Sequence, residues 1–202
     1  MIRIPALIIG YFFGCFQTAY LVGEAKEKID IREYGSGNLG ATNALRVLGL
    51  KYGAITFLGD FTKALLAVLI VRFLFKDPMA GFYAGVGAII GHNWPVFLNF
   101  KGGKGIASTL GVAMAINPII GLILIVVMAS IIFAFRYVSL GSIIMVSLFP
   151  ILMYIFKPGQ WEYFALSLAI AVFAIYRHRA NIKRLLTKTE SKIGFNKQEK
   201  TK

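Results

Sequence analysis

Three short stretches combine glycine, small polar side chains and fixed positive charge. Gly35–Arg46 reads GSGNLGATNALR, Gly91–Gly111 reads GHNWPVFLNFKGGKGIASTLG, and Tyr176–Leu186 reads YRHRANIKRLL. These residue types suit the holding of phosphate: glycine turns bring backbone N–H groups close to an anion, and Lys or Arg supplies charge. In the first stretch Ser36, Gly37, Asn38, Thr42 and Asn43 offer amides and polar side chains. From about Ala41 the chain reads as helix, and Arg46 follows about a turn later with a fork suited to phosphate oxygens. GSGN alone is a weak pattern, and a re-entrant turn that needs close helix packing would use the same glycines. It is neither a Walker loop nor a dinucleotide fingerprint, since no strand precedes it and the spacing differs.

In the second stretch Lys101 and Lys104 flank Gly102 and Gly103, a compact cationic nest. Lys101 also fits an ordinary membrane-surface anchor. Lys104 opens a short helix whose positive dipole end disfavours a cation, so its presence makes more sense if an anion binds there. His92 is either an acid–base group or a structural one, and the structural role is preferred. In the third stretch His178 and Asn181 lie three apart and share a helix face, whereas Arg179, Lys183 and Arg184 read as a solvated or lipid-facing surface. Arg136–Ser142 falls at the same level, and Ser142 can contribute a hydroxyl. Asp60 and Lys63, three residues apart in an apolar run, read as a structural ion pair.

The elements that must carry these groups are apolar. The 202 residues are 57% hydrophobic and only 15% charged, against about 25% charged in ordinary soluble domains. Mean hydropathy is +0.71. The fold class is an all-α polytopic membrane helix bundle. The formal charge of +13 is explained by cytoplasmic loops and anionic headgroups, so no nucleic-acid partner is inferred. One cysteine, Cys15, excludes an intrachain disulfide. A retained first helix fits the N-terminus better than a cleaved signal. Hydropathy and breakers place segments at Ile4–Val22, Gly53–Phe75, Met79–Phe100, about Gly105–Ile116, Pro118–Phe135, Val138–Phe156 and Trp161–Tyr176. Asn117-Pro118 divides the run from Gly105 to Phe135, which is too long for one crossing. Seven transmembrane segments put the N-terminus outside and the C-terminus in the cytoplasm. Lys26, Lys28, Arg32, Arg46, Lys51, Lys101, Lys104, Arg136 and the basic tail then share the inner face, leaving Arg3, Lys76 and Lys157 opposite. All three polar motifs fall on the cytoplasmic side. One domain is read over residues 1–186, followed by a polar, poorly ordered cytoplasmic tail at 187–202. No cluster of His, Cys and carboxylates has metal-ligand spacing, so no metal is expected.

As a set in this order, the three motifs closely resemble those of the bacterial PlsY family of acyl-phosphate-dependent glycerol-3-phosphate acyltransferases. DFTKA at 60–64, RYVSLGS at 136–142 and the overall length also match. The resemblance implies a bacterial inner-membrane enzyme that moves a fatty acyl group from acyl phosphate to the 1-position of sn-glycerol 3-phosphate. Lysophosphatidic acid and inorganic phosphate are the implied products. It also implies that Ser36 and Arg46 are essential, that Gly102–Gly105 forms the glycerol-phosphate loop, that His178 and Asn181 matter together, and that Glu190 has a structural role. The soluble-type acyltransferase signature, a His followed four residues later by Asp, is absent, since Val96 and Ile182 stand at that spacing from His92 and His178. Gly14-Cys15-Phe16-Gln17 and Lys188 depart from the family pattern.

The expected partners are acyl phosphate, sn-glycerol 3-phosphate and membrane lipid, with a monomer and no cofactor. Ser36–Asn43 are expected to hold the acyl-phosphate headgroup, and Arg46, Lys104, His178 and Asn181 to orient glycerol phosphate. The catalytic set is therefore Ser36, Arg46, His178 and Asn181. Direct attack with the donor phosphate taking the proton ranks first; His178 as base and Ser36 as nucleophile remain open. The main alternative is a transporter for phosphorylated molecules, although no duplicated half is visible. A membrane scaffold is a weaker one.

Overall fold

The computed structural model describes residues 2–194. The chain is all-helical, with no strand among the described residues. Its helices are α1 (Arg3–Cys15), α2 (Thr18–Glu27), α3 (Ala41–Leu48), α4 (Leu50–Phe75), α5 (Pro78–Asn93), α6 (Ile106–Ile116), α7 (Pro118–Phe135), α8 (Val138–Phe156), α9 (Trp161–Arg177) and α10 (Arg179–Leu186). Short 3-10 turns occupy Ile31–Glu33 and Val96–Leu98. Among the described residues, four helical runs are long and apolar enough to cross a bilayer: Arg3–Glu27, α4, α7 and α8. Helices α5, α6 and α9 have 16, 11 and 17 residues, at or below the roughly 20 that a perpendicular crossing needs. The outward faces are hydrocarbon: Phe133 is 89% exposed and Phe73 81%.

Several boundaries follow directly from local chemistry. Asp77 and Asn117 cap α5 and α7 by accepting from the N–H groups of Met79 and Ile119. Each is followed by proline at the first helical position, where the missing N–H costs nothing. Asn117-Pro118 thus separates α6 from α7 where expected.

Two expected elements differ. The segment expected as one helix over Ile4–Val22 is interrupted at Phe16-Gln17. The carbonyl freed at Phe16 accepts from Lys63 Nζ, and the buried Gln17 side chain donates to the carbonyls of Gly14 and His92 at 3.1 and 3.2 Å. The break is therefore filled by polar groups from α4 and α5. The segment expected over Met79–Phe100 is helical only to Asn93, because Pro95 cannot extend it and Asn99 and Phe100 take left-handed φ values of 53° and 58°.

Helix α1 lies against α5 through two glycine pairs spaced four apart. A methyl group added at Gly10 or Gly14 would overlap the backbone of Ala84 or Ala88, and one at Gly87 or Gly91 would overlap that of Leu7 or Tyr11. Such small-residue stripes let membrane helices approach to backbone contact. The close fit seats His92, at the end of α5, beside the α1–α2 break.

Residues Thr187–Gly194, expected within a poorly ordered tail, fold back onto the bundle. Glu190 is 8% exposed, and Ile193 N–H donates to Arg136 O at 2.7 Å. The rest of the expected tail, 195–202, lies outside the described residues.

Candidate active site

Helices α3 and α6 both begin at a glycine. Gly40 precedes α3 and Gly105, at φ +78°, precedes α6; neither helix has a side-chain cap. Asn43 N–H turns back to Gly40 O at 3.0 Å, which leaves the N–H groups of Ala41 and Thr42 in α3 and of Ile106, Ala107 and Ser108 in α6 for another acceptor. Both starts line one cavity of about 140 Å³. Ser36, Asn38, Thr42, Asn43, Arg46, Lys104, Ser142, His178 and Asn181 line the same cavity. Motifs far apart in sequence thus meet at one cavity. Gly37, Lys101, Gly102 and Gly103 do not line it. Gly37 makes a turn at φ +67°, with its N–H on Tyr34 O, and Lys101 is exposed. Gly102 and Gly103 pack against His92, where a methyl on either would overlap its carbonyl or ring. Gly103 N–H donates to His92 O at 2.9 Å and Gly103 O accepts from Arg177 at 2.7 Å. The glycine pair therefore shapes the loop that delivers Lys104, and Gly103 has no amide left to offer an anion.

Neighbouring groups hold the first motif. Asn43 Oδ1 accepts from Ser36 N–H at 2.8 Å, and its Nδ2 donates to the carbonyls of Ile31 and Tyr34. Asn43 is thus occupied as a brace beneath the Ser36 turn. Asp30 pairs with Arg32, which donates to Leu98 O at 3.1 Å and ties this loop to the second motif. Ser36 stays exposed at the cavity mouth, with no hydrogen bond to its hydroxyl among the described residues. Arg46 makes no hydrogen bond or ion pair among the described residues.

The remaining wall is a polar cluster around Glu190. Its Oε1 accepts from Ser139 Oγ and Asn181 Nδ2, each at 2.7 Å, and its Oε2 accepts from Arg184 Nε at 2.6 Å. Burial alone would raise this carboxyl, but the three donors outweigh it and hold it below its ordinary range. Asn181 Oδ1 accepts from Lys104 Nζ. Burial pushes Lys104 down to about 8; Arg184, Arg177 and Arg46 add to the shift, while Glu190 opposes it. His178 is lowered to about 4 by burial and then by Lys104, so it is neutral near pH 7. Its Nδ1 lies 2.8 Å from Ala174 O. A carbonyl only accepts, so Nδ1 carries the hydrogen and Nε2 carries the lone pair. Ser142 Oγ donates to Val138 O at 2.9 Å.

A family profile described as glycerol-3-phosphate acyltransferase matches residues 4–188. A glycerol-3-phosphate acyltransferase of Alkaliphilus metalliredigens is 47% identical over 194 residues, covering 96% of this chain and 97% of that protein. One from Clostridioides difficile is 44% identical over 196 residues, covering 95% of each. The chain belongs to the PlsY glycerol-3-phosphate acyltransferase family. The crystal structure of PlsY, an integral membrane glycerol 3-phosphate acyltransferase, in its glycerol 3-phosphate form superposes with a TM-score of 0.87 at 37% identity. That match covers 95% of this chain and 96% of the other. The lysophosphatidic acid form gives 0.84 at 36% identity, covering 96% of each. The chain is therefore a membrane protein and an acyltransferase.

Within this PlsY-family site, two contacts were not read from sequence. Arg184, read as solvated surface, lines the cavity and holds Glu190; its charge-rich surroundings on α10 hid it. Asp60 and Lys63 do pair, at 2.8 Å. His92 joins them, with Nδ1 3.0 Å from Lys63 Nζ, and both Asp60 and His92 line the cavity. No periodicity links position 92 to position 63, so only packing reveals this contact.

Proposed function

We propose that this protein transfers a fatty acyl group from acyl phosphate to the 1-position of sn-glycerol 3-phosphate, giving lysophosphatidic acid and inorganic phosphate. The observation that carries this reading is the convergence of two uncapped helix starts with Arg46 and Lys104 on one cavity, beside the apolar side chains of Phe57, Ile106 and Met128. Two phosphate-bearing reactants repel one another, and fixed cations with oriented N–H groups offset that repulsion. Ser36, Asn38 and Thr42 at the start of α3 hold the donor headgroup. Arg46, Lys104, His178 and Asn181 orient glycerol phosphate. The acyl chain lies along the apolar wall toward lipid.

The donor is a mixed anhydride and already activated. The acceptor hydroxyl oxygen bonds to the acyl carbon, the bond from that carbon to the phosphate oxygen breaks, and the departing phosphate takes the hydroxyl proton. Neutral His178 accepts a hydrogen bond from the hydroxyl through Nε2 and aims it; with its pKa near 4 it is a poor proton sink. The reaction needs neither metal nor cofactor. The enzyme works as a monomer in the bacterial inner membrane, crossing seven times, with α5, α6 and α9 as short crossings, its N-terminus outside and its site facing the cytoplasm.

The test is product formation by purified protein in micelles with palmitoyl phosphate or palmitoyl-CoA as donor. Lysophosphatidic acid from palmitoyl phosphate alone is expected. Product from palmitoyl-CoA, or from neither donor, overturns the reading.

A further inference from the structure

The strap that follows α10 has two anchors. Lys188 turns the chain back at φ +57°, and Thr189 N–H donates to Arg184 O at 2.8 Å. The Glu190 carboxylate then enters the bundle, and Ile193 N–H ties the strap to Arg136 O. Ser191 and Lys192 lie between these anchors and are exposed. Both line a second cavity, of about 240 Å³. Thr42 and Arg46 of α3, Val138 of α8 and Ser191 line this outer cavity and the reaction cavity alike. The two spaces are therefore neighbours that meet at those four residues.

The polar side chains at this meeting point are unoccupied. The Arg46 guanidinium and the hydroxyls of Thr42 and Ser191 make no hydrogen bond or ion pair among the described residues. Lys192 adds a second fixed charge. Its ammonium stands 5.6 Å from the centre of the Tyr137 ring, beside Val138 in the chain. A cation–ring contact at an exposed site is weak, and it leaves N–H donors of the ammonium for an anion. Among the described residues no Asp or Glu lines the outer cavity. Glu190, next to Ser191, already gives its oxygens to Ser139, Asn181 and Arg184. Phe57, Ile106 and Met128, the apolar wall of the reaction cavity, do not extend into the outer one. Its chemistry suits a small hydrophilic anion rather than an acyl chain.

We propose that the outer cavity is a second phosphate-binding site, built by Lys192 and Ser191 opposite Arg46, where a phosphate dianion halts between water and the reaction cavity. Two species carry that chemistry: the glycerol phosphate that enters and the inorganic phosphate that leaves. Arg46, which lines both spaces, hands the dianion from one to the other. The identity of the dianion rests on the proposed acyl transfer; its binding does not. All bonds are made and broken in the reaction cavity, as given above.

Two measurements test this. The first reads binding without turnover. Ser191→Cys places a thiol where the cavities meet, and the one natural cysteine, Cys15, is buried at 4% exposure, so the wild-type protein is the blank. Inorganic phosphate, and separately glycerol 3-phosphate, should slow the reaction of that thiol with a neutral methanethiosulfonate reagent in detergent. Adding Lys192→Ala should raise the concentration for half-protection about fivefold, the share of one exposed cation. Absence of protection, or protection that Lys192→Ala leaves unchanged, overturns the proposal whatever the enzyme does. The second measurement is kinetic. Lys192→Ala and Lys192→Glu should lower kcat/KM for glycerol 3-phosphate about 5-fold and about 20-fold, with kcat and the KM for palmitoyl phosphate changed less than about twofold. Lys192→Arg should retain the wild-type value, and high salt should shrink the differences among the variants. That pattern marks the entering acceptor as the dianion. Weaker inhibition by inorganic phosphate at an unchanged kcat/KM marks the leaving phosphate instead. A loss confined to kcat or to thermal stability contradicts the site. Failure of the acyl-transfer reading shows separately, as a wild-type protein that makes no lysophosphatidic acid while the thiol is still protected.

Discussion

Arg46 and Lys104 face the same cavity from different supports, and they differ in chemistry. Arg46 stands without a protein partner among the described residues, so its planar fork is available for two parallel bonds to a phosphate. Arg46→Lys keeps the charge but loses the fork. It should raise the KM for glycerol 3-phosphate roughly 10- to 100-fold, matching one charge-assisted bond of about 1.5–3 kcal/mol, as read by initial-rate kinetics. Lys104 is braced by Asn181 and titrates at about 8 in the free protein, below the ordinary lysine value. Its ammonium is therefore present below about pH 8 and lost as pH rises through it. Because kcat/KM reports the free enzyme, kcat/KM for glycerol 3-phosphate should decline above about pH 8. In Lys104→Arg, whose guanidinium stays charged, that decline should vanish from the pH profile. At this scale most of the residues singled out from the sequence line one cavity, because serine, lysine and arginine in an oily chain have few places to go. Gly102, Gly103 and Asn43 make protein contacts that the sequence did not announce. A loop glycine that cradles an anion and one that clears space for His92 look alike in one dimension.

Helices α3 and α10 are short, and their placement depends on what grips them. For α10 the grip is Glu190, whose carboxylate gathers Ser139 of α8 with Asn181 and Arg184 of α10. Glu190→Ala leaves those donors facing an empty site and should cost about 2 kcal/mol of stability, seen as a lower unfolding midpoint in detergent together with a raised KM for glycerol 3-phosphate. Glu190→Gln keeps acceptors for part of the cluster and should lose less of both. The α1–α5 contact makes a different demand. Gly14 and Gly87 have no room for a side chain, so Gly87→Ile should destabilise by about 1–3 kcal/mol through overpacking, measured by thermal unfolding. Some element boundaries were legible: Asn117-Pro118 and the ends of α8 fall as read from the chain, whereas the segment read through Pro95 stops at Asn93. The break at Phe16-Gln17 was not legible, because neither residue forbids helix. It exists because Lys63 takes the Phe16 carbonyl and Gln17 reaches back to α5, contacts made only after folding.

Across the whole molecule, polar groups gather at one cavity while lipid-facing rings such as Phe73 and Phe133 cover the outside. Hydropathy carried the helical membrane class because burial in lipid imposes apolar runs regardless of tertiary detail. The return of Glu190 to the site was not legible, since a polar stretch reads as tail until the cations it neutralises are located in space. The crossing count is open to direct measurement: cysteines introduced at Lys51 and Lys188 should both be labelled from the cytoplasmic side, and one near Lys157 from the opposite side. The central claim is that one cavity holds both anions at once and passes the acyl group directly between them. Rapid mixing of purified protein with palmitoyl phosphate alone, followed by glycerol 3-phosphate, tests that claim most directly through released phosphate. The account predicts no release before the acceptor arrives and steady release of phosphate matched by lysophosphatidic acid afterward. A burst of phosphate stoichiometric with enzyme in the absence of acceptor, with acyl label retained on Ser36, would contradict it.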